Sequence, residues 1–403
     1  MALKKEENNK QSKEIKGLSE DNSKSSPISD NFNPYEIKGS IDYDRICKDF
    51  GIQKISQDLL KDIEAVAGKP LHRFLRRGIF FAQRDLKWCL EEYKKGNKFF
   101  LYTGRGPSGH IHIGHLATWM FAKWLQDVFG AELWFQFTDD EKFLFKKDLS
   151  LDDAKKWAYE NMLDVIALGF DPKKTHFLID SVHAGILYPE AIKVAKKITV
   201  STVKSAFGFT DSSNIGSVFY TSMQTVPVFL PNVLRKEERP CLIPLGIDQD
   251  PHFRISRDVV EKLGFFKPAI IHAKMMCPLG GLEGKMSSSE GEHAIYTTDS
   301  AQDIKKKINK YAFSGGRSTL EEHRKYGGNP DIDVSFQWLR YFEEDDNKLQ
   351  EIYDKYKSGE LLSGELKQII IDKLQTFLAV HQQLREQARS RVNEFIFKPE
   401  KIK

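Results

Sequence analysis

Five short apolar runs, at residues 99–102, 132–137, 175–179, 242–247 and 269–276, alternate with helical patterns through the middle of the chain. Their hydrophobicity is mostly continuous rather than alternating, which strands buried on both faces of a parallel sheet require. Strand, loop and helix in repetition predict an α/β fold built on a doubly wound parallel sheet. Ligands of such sheets lie beyond the carboxyl ends of the strands, where the strand order switches. Polar residues that close or interrupt the apolar runs are therefore the first candidates for a site. Residues 150–238 read as a mostly helical insertion between two parts of the sheet. Beyond Thr298 strands disappear, and helical patterns at 304–313, 335–342, 349–356 and 363 to about 397 predict an all-helical C-terminal domain over 299–403.

The N-terminal part differs. Residues 1–30 are rich in Lys, Glu, Ser and Asn, balanced in sign and almost free of aromatics, the composition of a disordered tail. Residues 31–97 form a mixed region with helical patterns through Ile63, Leu71, Phe74, Leu75 and Phe80. It carries a local basic cluster, Lys69, Arg73, Arg76, Arg77 and Arg84, readable as a solvated helix face or as an RNA-backbone contact. A chain of 403 residues allows two to three domains, and its net charge of +4 identifies no partner. Four scattered cysteines without a CxxC pair argue against a disulfide framework or a zinc ribbon and favour a reducing compartment. With no apolar run of spanning length and no apolar segment near the N-terminus, a soluble, cytoplasmic protein without membrane contact is expected.

Two stretches carry chemistry. The first, YTGRGPSGHIHIGH over residues 102–115, follows the first apolar run. Gly104, Gly106, Pro107 and Gly109 predict a turn immediately after Tyr102. The helical spacing of Leu116, Trp119, Met120, Phe121, Trp124, Leu125 and Val128 predicts a helix ending at Gly130. His112 and His115 then lie three apart at a helix start, beside free backbone N–H groups whose dipole favours an anion. Both histidines could donate to phosphate oxygens, and Gly114 between them would let an adenine ring or ribose approach. The second stretch, residues 280–289, is a glycine loop carrying Lys285, Ser287, Ser288 and Ser289. A lysine point charge with clustered hydroxyls suits polyphosphate whose charge grows during transfer.

The pair resembles the HIGH and KMSKS signatures of class I aminoacyl-tRNA synthetases, here His112-Ile113-Gly114-His115 and Lys285-Met286-Ser287-Ser288-Ser289. Further stretches narrow the resemblance. Thr103-Gly104-Arg105-Gly106-Pro107-Ser108, Thr138-Asp139-Asp140-Glu141-Lys142, Phe207-Gly208-Phe209-Thr210-Asp211-Ser212 and Ile247-Asp248-Gln249-Asp250-Pro251 are similar to the eukaryotic and archaeal tryptophanyl-tRNA synthetases. So is Ala312-Phe313-Ser314-Gly315-Gly316-Arg317, and the resemblance covers roughly residues 30–397. There are departures: Ser288 stands where relatives commonly have alanine, Tyr35 where many carry tryptophan in an N-terminal lid, and the span from Ser108 to His112 is shorter than in some.

The resemblance implies a Rossmann-like catalytic domain over residues 98–298, a helical anticodon-binding domain and a homodimer seam formed by the insertion. It implies a ligase that activates L-tryptophan with ATP and Mg2+ and transfers it to tRNA(Trp), releasing AMP and pyrophosphate, with no metal site of the protein's own. His112, His115, Lys285 and Ser287 would be catalytic. Thr103, Gly104, Arg105, Gly106, Gly114, Asp248, Met286 and Ser288 would join them around ATP. Tyr102 and Gln136 would read the indole nitrogen, while Glu141, Gln224 and Gln249 would hold the ammonium and carboxylate. Elementary chemistry agrees for the first pair, because an indole has one N–H donor and no acceptor, so its pocket needs a tyrosine or glutamine oxygen at its base. Three rivals fit less well. A tyrosyl relative usually meets its phenol with an aspartate, an HxGH nucleotidyltransferase would not carry the lysine loop and helical region, and a non-catalytic RNA-binding relative would not need the intact histidines and Lys285.

Overall fold

The structure, a computed structural model, describes residues 41–286 and 291–399. The expected tail, Tyr35, Ser287 and Ser288 lie outside the described residues. Seven strands form one sheet: β1 (Gln53–Lys54), β2 (Phe80–Arg84), β3 (Phe100–Arg105), β4 (Glu132–Phe137), β5 (Thr175–Ile179), β6 (Cys241–Gly246) and β7 (Ala269–Ala273), in the order β1-β2-β7-β6-β3-β4-β5. The five apolar runs are the five parallel strands. From β3 the chain builds outward through β4 to β5, then returns to the other side of β3 for β6 and β7. The strand order therefore switches between β3 and β6, whose carboxyl ends form a crevice.

β3 does not stop at Tyr102. It runs to Arg105 because its backbone stays in register with β4, Gly104 opposite Gln136 and Arg105 opposite Phe137. A Cβ on Gly104 would stand 2.8 Å from the Gln136 carbonyl oxygen, so the pairing itself uses the glycine. Residues 80–84, expected within a helical pattern, are the strand β2, antiparallel to β7. So short an apolar run, Ile79 to Ala82, cannot be told from a helix by periodicity, and Gly78, at φ +61°, ends the preceding turn of helix.

Side-chain alternation on β3 sorts the core. Phe99 and Leu101 join an apolar cluster on the face covered by the helix Ile113–Phe129. Phe100 and Tyr102 point to the opposite face, covered by the helices Ala184–Ala195, Val200–Phe207, Ile215–Thr225 and Asp250–Lys262. The C-terminal helices Ala301–Tyr311, Val334–Phe342, Asp346–Ser358 and Ser363–Ala388 extend the first cluster. Ser300, Asp333 and Asp345 cap three of them through side-chain oxygens. The long helix ends at Ala388 rather than near residue 397, after which the chain turns so that Phe395 and Phe397 are buried. Phe397 lies against Trp134 and His176; its N–H donates to Phe177 O and its carbonyl accepts from His183 Nε2.

Most of the basic cluster is engaged within the protein, while Lys69 and Arg76 remain exposed. Arg73 donates to Tyr341 O, Arg76 and Arg77 pair with Asp346, and Arg77 also donates to the carbonyls of Arg340 and Glu343. Arg84 pairs with the buried Asp250. These arginines tie residues 73–84 to the helical region and to the strand ends, because a planar guanidinium can serve several oxygens at once.

Candidate active site

The crevice has three walls. The first leaves β3 at Arg105. A Cβ on Gly106 would lie 1.9 Å from Lys142 Cε and 2.8 Å from Glu141 Oε2, so the chain passes close over the start of the helix Asp139–Phe145. His112 occupies the N-cap of the helix Ile113–Phe129, held by bridge pairing with Tyr296. The His112 and His115 rings stack with centroids 3.6 Å apart. Gly114 leaves room for this arrangement: a Cβ there would stand 3.0 Å from His112 Nδ1.

His115 Nε2 lies 2.9 Å from Arg105 Nη1, and His115 Nδ1 lies 3.3 Å from the His112 amide nitrogen. A neutral imidazole has one lone pair, so it cannot serve both donors. Burial, reinforced by the charges of Arg105 and Lys285, holds both histidines well below the ordinary imidazole range. Arg105 Nε and Nη2 and His112 Nδ1 are buried without a partner among the described residues. A guanidinium with two unmet donors, beside neutral imidazoles at a helix start, fits an anion and little else.

The second wall is the lysine loop. Met286 N donates to Met276 O, and the Met286 side chain is buried in the apolar cluster rather than open to the crevice. Lys285 Nζ lies 2.6 Å from Asp248 Oδ2, which also accepts from Gln249 Nε2 at 3.1 Å. Asp248 and Gln249 follow β6 directly, so the loop lysine is brought to the switch point. Asp250 faces away, paired with Arg84 and 2.7 Å from His272 Nε2.

The third wall steps diagonally across three strands. Tyr102, Gln136 and Asp180 project from the same face of β3, of β4 and of the end of β5, each displaced by two residues in register. Tyr102 Oη donates to Gln136 Oε1 at 2.5 Å. Gln136 Nε2 donates to both oxygens of Asp180, at 2.8 and 2.9 Å. On the helix Ile215–Thr225, Tyr220 and Gln224 lie one turn apart, and Tyr220 Oη and Gln224 Oε1 are buried without partners among the described residues. Glu141 Oε2 accepts from Thr138 Oγ1 at 2.6 Å and Oε1 from Lys142 Nζ at 2.7 Å. Burial raises the Glu141 pKa, but Lys142 and Thr138 outweigh it, so the carboxylate stays ionised. Thr103 is buried and points to the opposite face of the sheet from Tyr102.

The structure thus gathers Tyr102, Arg105, His112, His115, Gln136, Glu141, Gln224, Asp248, Gln249 and Lys285 around the carboxyl ends of β3, β4 and β6. Sequence reasoning missed Asp180 and Tyr220. The signal for Asp180 was its place directly after an apolar run; Tyr220 was legible only as the residue one helical turn before Gln224.

Comparison with known proteins agrees with this geometry. The family model for tRNA synthetases class I (W and Y) matches residues 94–379. The tryptophan–tRNA ligase of Sulfurisphaera tokodaii is 52% identical over 91% of this chain and 94% of its own length. The cytoplasmic tryptophan–tRNA ligase of Saccharomyces cerevisiae is 46% identical over 92% and 89%. Among solved structures, the tryptophanyl-tRNA synthetase of Plasmodium falciparum superposes with a TM-score of 0.84 at 42% identity, covering 90% of this chain and 98% of that one. That of Encephalitozoon cuniculi bound to tryptophan gives 0.83 at 38% identity, covering 91% and 100%. With its sheet, its paired signature stretches and these relatives in agreement, the chain belongs to the class I tRNA synthetases, as one of the tryptophan–tRNA ligases.

Proposed function

We propose that the three walls work together as the active site of this ligase. In the first step a carboxylate oxygen of L-tryptophan attacks the α-phosphorus of ATP in line and pyrophosphate departs. In the second, a terminal ribose hydroxyl of tRNA(Trp) attacks the carbonyl and AMP departs. Neither step needs a protein nucleophile, so catalysis is positioning and charge stabilisation. Arg105 and His112 meet the phosphates with polar atoms that are otherwise without partners among the described residues, and His115 stands beside them. Lys285 exchanges Asp248 for a phosphate oxygen as charge develops. Each such donor is worth about 2–4 kcal/mol in the transition state. Mg2+ carried by ATP would supply positive charge beside the departing phosphates.

Gln136 and Tyr102 supply oxygen acceptors to the indole N–H. Glu141 takes the ammonium by a charge-assisted bond, helped by Gln224 Oε1, and Gln249 holds the carboxylate. Thr103, Gly104, Gly106, Gly114, Asp248 and the backbone of Met286 frame the nucleotide, with Ser287 and Ser288 completing the loop. Residues 299–403 hold the anticodon. The exposed apolar side chains Val182, Tyr188, Ile192, Val200 and Ile215 on the insertion form a homodimer seam, and the site of action is the cytoplasm, which the name of the yeast relative gives for that protein. No described helix is long and apolar enough to cross a membrane.

The unmet donors of Arg105 and His112 beside Lys285 are the observation that carries this reading. Amino-acid-dependent ATP–pyrophosphate exchange, run with tryptophan and tyrosine side by side, tests it. Tryptophan alone should support exchange; exchange with tyrosine, or with neither, rejects the assignment.

A further inference from the structure

A glutamine amide can sit in either of two nearly isosteric orientations, and they present opposite chemistry to a ligand. With its oxygen toward the pocket it accepts from an N–H; with its NH2 there it repels one. The Tyr102 hydroxyl cannot decide between them, because a hydroxyl both donates and accepts. Asp180 can. Both of its oxygens lie within hydrogen-bonding distance of one Gln136 nitrogen, 2.8 and 2.9 Å, and it is only 1% exposed.

We infer that Asp180, supported by Asp140, is a positioning residue for substrate selection: it holds the Gln136 amide with its NH2 toward β5 and its carbonyl oxygen toward the indole N–H. The inference rests on reading Gln136 as a contact of the substrate indole. Asp140 hydrogen-bonds the Asp180 side chain, so a proton shared between the two acids leaves acceptor oxygens for Gln136. Burial, and then the charge of Asp140, raises Asp180 well above the carboxylate range, while burial pushes Asp140 up to about 6. Burial disfavours a second negative charge beside the first, so the two acids act as one buried pair. Asp139 and Glu141 also face it, but each is otherwise engaged, Asp139 by Ser181 and Glu141 by Thr138 and Lys142. Tyr102 and Tyr220 complete the ionisable groups around it. Buried carboxylates so close together are costly to a fold, and apolar residues of like volume would pack there without that cost. What the acid adds is a fixed acceptor.

The test compares tryptophan with β-(3-benzothienyl)alanine, in which sulfur replaces the N–H at nearly constant shape, by ATP–pyrophosphate exchange. The quantity read is the ratio of the two kcat/KM values. In Asp180→Leu this ratio should fall at least about tenfold, through KM for tryptophan more than through kcat. Asp180→Asn can donate to Asp140 and still offer an oxygen to Gln136, so its ratio should stay within about threefold of wild type. On a Gln136→Ala background, Asp180→Leu should cause no further fall. Removing one of four neighbouring carboxylates favours folding of the leucine variant; Asp180→Ala, read the same way, replaces it if leucine does not fit. An unchanged ratio, an equal loss for both substrates, or a further fall on the Gln136→Ala background overturns the inference. A wild type inactive with tryptophan, or a Gln136→Ala variant with the wild-type ratio, instead overturns the reading beneath it, and the inference falls with it.

Discussion

Arg105 holds a guanidinium whose Nε and Nη2 have no partner among the described residues, so replacing it with methionine should move stability and activity in opposite directions. Burial, opposed by Glu141 and Asp164, lowers its pKa to about 10. The cation is then less favourable here than in water by about 3 kcal/mol, at about 1.4 kcal/mol per pKa unit. The residue as a whole is only half-buried, although its end nitrogens are sequestered, and methionine forfeits the contact with His115. A net gain of about 1–2 kcal/mol in the ligand-free protein remains. The same change removes a donor aimed at the phosphates, which should cost about 2–4 kcal/mol of transition-state stabilisation, or roughly 30- to 1,000-fold in rate. Urea unfolding of ligand-free Arg105→Met and ATP–pyrophosphate exchange with saturating tryptophan measure the two quantities. A variant less stable than wild type, or one exchanging within about threefold of it, refutes the account of Arg105 as a strained, waiting anion ligand.

Other perturbations have definite signs. Burial holds His72 down to about 3 and His252 down to about 4. Folded chains stay neutral at these positions while unfolded chains take up protons below about 6.5, so stability is complete above that pH and is lost as pH falls beneath it, by about 2 kcal/mol per group at pH 5. His72→Asn, which keeps an acceptor for the Phe74 N–H, should recover its share; a urea midpoint whose pH dependence parallels wild type counts against this. Gly106→Ala drives a methyl into Lys142 and disturbs its pair with Glu141; KM for tryptophan should rise about tenfold with little change in KM for ATP, and a rise in the ATP value alone would contradict the assignment of Glu141. Phe397→Ala empties a site closed by Trp134 and His176 and should cost about 3–5 kcal/mol in denaturant titration; a loss below 1 kcal/mol would mean that the C-terminal segment contributes little to the fold.

What could be read from the chain, and what could not, follows from the range of the interactions involved. The five parallel strands were legible because burial on both faces leaves continuous apolar runs. β2 was not, because the four apolar residues Ile79 to Ala82 are too few to show a period, and only β7 makes the stretch a strand. The same holds for Arg73, Arg76 and Arg77, whose partners at Tyr341 and Asp346 lie more than 260 residues away. The break after Ala388 was hidden for a related reason, since what bends the chain is a place for Phe397 between residues of β4 and β5. At the site, His112, His115 and Lys285 stand in local patterns that announce themselves. Asp180 does not, since its role exists only when β4 and β5 lie side by side and Gln136 comes within reach.

The course of the last described residues has one more consequence. β5 is an outer strand, and Ile396 bridges Phe177 in parallel while Phe397 N–H bonds to Phe177 O. On the far margin, β1 is only two residues long. Among the described residues, the bridge at Phe177 interrupts the β5 margin onto which a strand of another molecule could zip. The tail end of the chain acts as a hem, guarding against self-association that a bare β5 would invite.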